Sequence, residues 1–164
     1  MTTVAVDPGE ALTRALFDAV GDVVVIRGDT SVDEMIWQAL VALQAAHAEM
    51  ADRGGRIVLV LPTIGMSGAA GLVSYTTAVE GIRAMAKSAA RQWGSIGLAV
   101  NMVAAPLRLF TAEGDARHLT APAVADTGTL VRSVTETVEF LLRSDIDHLT
   151  GETIIVDGGS VMAP

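Results

Sequence analysis

Ile57-Val58-Leu59-Val60-Leu61, closed by Pro62, is an unbroken apolar run. A strand with one wet face alternates apolar and polar residues. A run without alternation suits a strand covered on both faces, as in a parallel sheet. Three further runs rich in Val and Ile lie around it: Val23 to Ile26, Leu98 to Val103 and Thr153 to Val156. Longer stretches with helical periodicity separate them. That alternation predicts α/β layers, a parallel sheet of about four strands flanked by helices.

Working outward, Pro8 to Val20 reads as a helix with Asp7 placed to cap it. Ser31 followed by Glu34 matches a capping box and opens a helix that runs to about Arg53, where Gly54-Gly55 ends it. A third helix covers about Ser74 to Trp93. Its charges Glu80, Arg83, Lys87 and Arg91 form one narrow polar stripe. So narrow a stripe predicts burial on two sides, against the sheet and against another chain. A fourth helix covers about Thr127 to Arg143, and residues 107 to 126 read as an irregular loop.

The chain of 164 residues suits one domain, 1–164. A formal net charge of −8 argues against nucleic-acid and anionic-membrane partners. Cysteine is absent, which excludes a disulfide framework, a thiolate zinc site and a cysteine nucleophile, and fits a cytoplasmic location. No run approaches the roughly 18 apolar residues of a membrane span. The N-terminus lacks a basic region and an apolar core, so no signal peptide is expected. His47, His118 and His148 are scattered without metal-ligand spacing, so no metal site is expected. Asp157-Gly158-Gly159 predicts a tight turn, and Trp37 and Trp93 are candidates for either interface or core.

Gly55-Arg56-Ile57-Val58, then Tyr75, Gly81, Lys87-Ser88-Ala89, Gly97 and Val100-Asn101-Met102-Val103-Ala104 resemble the short-chain dehydrogenase/reductase (SDR) family. Thr150-Gly151-Glu152-Thr153-Ile154-Ile155-Val156-Asp157-Gly158-Gly159 is similar to that family's last strand and turn. The resemblance spans about residues 54 to 106 and 134 to 160. It implies a Rossmann-like three-layer sandwich reduced to the family's strands four to seven, with Val23 to Ile26 as the fourth and at an edge.

The departures bear on function. The family holds its cofactor pyrophosphate on a glycine-rich turn between a first strand and helix. This chain contains no Gly-x-Gly, and the nucleotide-binding half reads as missing, so NAD(P) binding is expected to be lost. The family's active-site tyrosine is followed one helical turn later by a lysine, whose charge lowers a phenol pKa otherwise near 10. Here Tyr75 is followed by Val79, and Lys87 lies roughly 18 Å further along the helix. The family's carbonyl-polarising serine aligns with Pro62, with Thr63 beside it.

The residues therefore lead first to a non-catalytic SDR-like subunit, a pseudoenzyme, that associates with itself or with a full-length active SDR through its helix-bundle surface. The alternative is a cofactor-independent cyclase, dehydratase or isomerase that reuses the cleft, with Tyr75, Thr63, Ser67 and Thr111 orienting a small carbonyl ligand. A third reading is an oxidoreductase subunit active only with a partner. Tyr75 and Thr63 are the candidate catalytic residues.

Overall fold

The computed structural model describes residues 1–114 and 121–162. Its core is a five-stranded parallel sheet in the order β2-β1-β3-β4-β5. The strands are β1 (Thr2–Val6), β2 (Val23–Ile26), β3 (Gly55–Pro62), β4 (Leu98–Ala105) and β5 (Thr153–Ile155). The helices are α1 (Glu10–Val20), α2 (Val32–Met50), α3 (Ile64–Ser67), α4 (Val73–Trp93) and α5 (Leu130–Leu142). This is the Rossmann-like α/β architecture expected, with one more strand. The added strand, β1, stands between β2 and β3, pairing Thr3 with Val23 on one side and Val58 on the other. Val23 to Ile26 is still an edge strand, but its neighbour is β1 rather than β3.

The period-two alternation of β3 sorts its side chains between two cores. Ile57, Leu59 and Leu61 pack with Val4, Val100 and Met102 beneath α2 and α4. Val58 and Val60 pack with Leu12, Leu16, Val134 and Val138 beneath α1 and α5. Both faces of the sheet are therefore dry, which is why its central strands carry unbroken apolar runs.

Ser31 caps α2 as expected: its hydroxyl accepts from the Glu34 N–H at 3.4 Å. Asp7 does not cap α1. The N-cap is Gly9, with no side-chain cap bond, and Asp7 turns elsewhere. Arg83 also leaves the expected polar stripe. It is only 6% exposed, and its Nε donates to both Glu80 carboxylate oxygens at 3.0 Å. Trp93 is half-buried and stacks on His47, centroids 4.6 Å apart, whereas Trp37 is 59% exposed. His118 lies outside the described residues.

The single asparagine, Asn101, is buried in β4 and pins the approach to β5. Its Nδ2 donates to the Leu149 carbonyl at 2.8 Å, and its Oδ1 accepts from the Glu152 N–H at 3.1 Å. Asn101→Leu removes both of these bonds from a part-buried site. We expect a loss of about 2–3 kcal/mol in a urea-unfolding comparison with wild type. A loss below half of that would show that the segment has another anchor.

Candidate functional site

In an open α/β sheet, ligands bind beyond the carboxyl ends of strands where the chain reverses its direction of travel across the sheet. Here the chain leaves β1 outward to β2 through α1, then crosses back through α2 to β3. The switch point is the end of β1 beside β3. Asp7 is its first residue, Thr63 follows β3, and Tyr75 lies in the first turn of α4.

Asp7 is buried and holds φ +54°, a left-handed conformation that aspartate tolerates better than most residues. That conformation aims its carboxylate back over the strand ends. Oδ1 accepts from the Gly28 N–H at 3.2 Å and from the Thr111 hydroxyl. Oδ2 accepts from the Ala112 N–H at 3.0 Å. Its carbonyl accepts from the Thr111 N–H at 2.9 Å. Gly28 has to be glycine for this approach: a Cβ there would stand 2.1 Å from the Asp7 Cγ. One carboxylate thus ties together the ends of β1 and β2 and the loop after β4.

Tyr75 is half-buried against the α2/α4 core. Its hydroxyl is buried facing the Asp7 carboxylate, with no hydrogen bond of normal geometry among the described residues. Desolvation first, and then the nearby Asp7 carboxylate, push its pKa well above the ordinary phenol range. Both the lost water and the negative neighbour penalise a phenolate. Val79, one turn on, is fully buried and offers no charge. The nearest cation on the same line of α4 is Arg83, roughly 12 Å from Tyr75 along the axis and already engaged by Glu80. The Tyr75 hydroxyl therefore stays neutral near pH 7. It can donate a hydrogen bond but does not exchange its proton readily.

Thr63 is buried at the end of β3, where its N–H donates to the Ala105 carbonyl at 2.8 Å. It makes no hydrogen bond to Tyr75. The Ser67 hydroxyl points back to the Ile64 carbonyl at 3.4 Å, and Thr111 is taken up by Asp7. Of the expected constellation, then, the structure leaves Tyr75, whose hydroxyl faces the Asp7 carboxylate. It also adds Asp7, which sequence reading assigned to a helix cap. The signal for Asp7 was present: it directly follows the short run Val4-Ala5-Val6. Asp157 forms the expected turn, accepting from the N–H groups of Gly159, Ser160 and Val161. Among the described residues no group of three His, Asp or Glu side chains is placed to hold a metal.

The expectation that NAD(P) binding is lost is corrected here. It rested on a missing N-terminal strand–turn–helix unit, and β1 and α1 form one. The proteins this chain resembles, among them a dehydrogenase complexed with NADH, lend no support to such a loss. Locally, the turn between them is occupied by protein. The Gly9 N–H donates to the Leu109 carbonyl at 2.8 Å, Pro8 has no N–H, and Glu10 adds negative charge to the first helical turn.

The family model described as enoyl-(acyl carrier protein) reductase matches residues 29–161. The 3-oxoacyl-(acyl-carrier-protein) reductase FabG of Salmonella typhimurium is 32% identical over 121 residues, covering 71% of this chain and 50% of that protein. An (S)-acetoin-forming diacetyl reductase of Staphylococcus aureus is 30% identical over 135 residues, 71% of this chain and 52% of that one. The chain spans about half the length of the curated relatives it matches. Among solved structures, a short-chain dehydrogenase/reductase of Serratia marcescens aligns with a TM-score of 0.68 at 17% identity, covering 97% of this chain and 96% of that one. A 4-hydroxyisoleucine dehydrogenase complexed with NADH and succinate aligns with a TM-score of 0.59 at 21% identity, covering 79% and 58%. No helix among the described residues is long and apolar enough to cross a membrane. With its parallel sheet, its Tyr75-bearing helix and these matches, the chain belongs to the short-chain dehydrogenase/reductase family.

Proposed function

We propose that this chain is a family subunit that does not itself run proton-coupled carbonyl reduction, and that it acts by associating with a second copy or with an active family oxidoreductase. One juxtaposition carries this reading: the Tyr75 hydroxyl lies beside the Asp7 carboxylate, with Val79 a turn away. Reduction of a carbonyl needs a proton as well as a hydride. A phenol supplies that proton near neutral pH only when a neighbouring cation lowers its pKa. Here desolvation and a carboxylate raise it. The reading does not require that dinucleotide binding be lost. For association it relies on the outer side of the α2–α4 pair. There Thr77, Ala84 and Ser88 are exposed and small enough to let another helix approach closely.

The test is an assay of the purified chain with NADH or NADPH and diacetyl or an acetoacetyl thioester, the carbonyl types named in its relatives. We expect no cofactor oxidation above the buffer rate, for wild type and Tyr75→Phe alike. Turnover that Tyr75→Phe abolishes would overturn the proposal. A second reading is favoured by one observation, the buried Tyr75 hydroxyl held beside the Asp7 carboxylate. A neutral donor fixed beside a carboxylate suits polarising a carbonyl without hydride transfer, in a cyclase, dehydratase or isomerase. Thr63, buried at the end of β3, would be the second hydroxyl of that reading. Loss of such turnover in both Tyr75→Phe and Thr63→Val would favour this second reading.

A further inference from the structure

We propose that the free edge of β2, with the groove beside it, is a strand-addition site for an extended partner segment that is apolar in the middle and basic at its ends. The inference is independent of the reading of Tyr75.

Among the described residues, β2 is the outermost strand and pairs only with β1. In a strand, the N–H and C=O of one residue point to the same side, and successive residues alternate. The Ile26 carbonyl accepts from the Asp7 N–H at 2.7 Å, so Ile26 and Val24 face β1. Val23 and Val25 therefore turn their main-chain groups outward, with no strand against them among the described residues. Arg27 belongs to the same outward set, and its N–H is capped by the Gln38 side chain at 3.2 Å. The open edge is thus bounded at one end.

Beside this edge lies a cavity of about 550 Å³. Its apolar lining includes Val24, Val25, Trp37, Val41 and Ala45. Trp37 and Val41 are 59% and 45% exposed. Side chains of this size stay wet at a cost that a covering segment would remove. The charged residues lining the groove are Asp22, Glu34 and Glu49, all acidic, with Glu49 already paired to Arg53 at 2.9 Å. Exposed sheet edges recruit extended peptides through main-chain hydrogen bonds, with side-chain pockets and charges setting specificity. An apolar floor with an acidic rim fits valine-like side chains flanked by lysine or arginine.

A second copy could also cover the edge. Antiparallel pairing of β2 about a two-fold axis would lay α2 antiparallel beside its mate. With Val41 near that axis, Glu34 of each copy approaches Glu49 of the other, so acid meets acid at both ends, offset only by Arg53 beside Glu49. The charges therefore favour a basic-ended segment.

The probe is a capped peptide, Lys-Thr-Val-Thr-Val-Thr-Lys, titrated into the full chain while amide hydrogen exchange is followed. We expect exchange at Val23 and Val25 to slow by about tenfold or more. The same peptide with glutamate at both ends should give no protection, and a Glu34→Lys/Glu49→Lys variant should reverse that preference. Unchanged exchange at millimolar peptide would overturn the proposal, as would equal protection by the acid-ended peptide. So would protection in the chain alone that grows with protein concentration alongside a doubled mass, because a second copy would then occupy the edge.

Discussion

In an alkaline titration followed by ultraviolet absorbance, Tyr75 is expected not to ionise until the chain unfolds. It is the only tyrosine in the sequence, so the signal belongs to one group. Burial and the Asp7 carboxylate hold its folded pKa far above the ordinary value near 10. The sign for stability follows. Above about pH 10 the unfolded chain releases a proton that the folded chain keeps, so the unfolded state binds fewer protons and stability falls as pH rises. The full contribution is present below about pH 10 and is lost at about 1.4 kcal/mol per pH unit above it. Denaturant unfolding at several alkaline pH values measures the slope. In Asp7→Asn the carboxylate is gone but the desolvation remains, so ionisation should move lower yet stay above the ordinary phenol value. A phenol that titrates near 10 in the folded wild type would sink both this expectation and the function proposed from it.

Asp7→Ala is expected to cost about 3 kcal/mol or more. Three donors lose their acceptor at once: the Gly28 and Ala112 N–H groups and the Thr111 hydroxyl. Each such bond to a charged group is worth about 1.5–3 kcal/mol. The removed cost of burying the carboxylate offsets part of that sum. Alanine at φ +54° adds backbone strain of about 1 kcal/mol. For a chain of this size the thermal midpoint should drop by about 10 °C. Asp7→Asn keeps an acceptor and tolerates the left-handed backbone, so it should lose well under half as much. Faster amide exchange at Ala112 would locate the damage in the loop after β4. A drop of less than 1 kcal/mol in Asp7→Ala would show that the loop is held without the carboxylate.

The sequence by itself determined the α/β class, the family and most of the sheet. The runs Ile57 to Leu61 and Leu98 to Val103 are apolar because both sheet faces are covered, and that requirement acts on every residue of a central strand. Ser31 with Glu34 and the turn at Asp157 were legible because capping and turns are short-range. β1 was not legible. Thr2-Thr3-Val4-Ala5-Val6 is short and opens on two threonines, and its place depends on two distant neighbours. Without β1, Asp7 read as a cap, and the N-terminal strand–turn–helix unit read as missing.

Tertiary structure alone decided where the charges stand around Tyr75. Sequence spacing gives neighbours on one helix, and it correctly identified Val79 as the residue one turn away. It cannot bring a side chain at position 7 to one at position 75, since that proximity arises from strand order at the sheet's switch point. The burial of Arg83, the exposure of Trp37 and the open side of β2 were decided in the same way. Each depends on which surfaces the other elements cover, a property of packing rather than of any local stretch of chain.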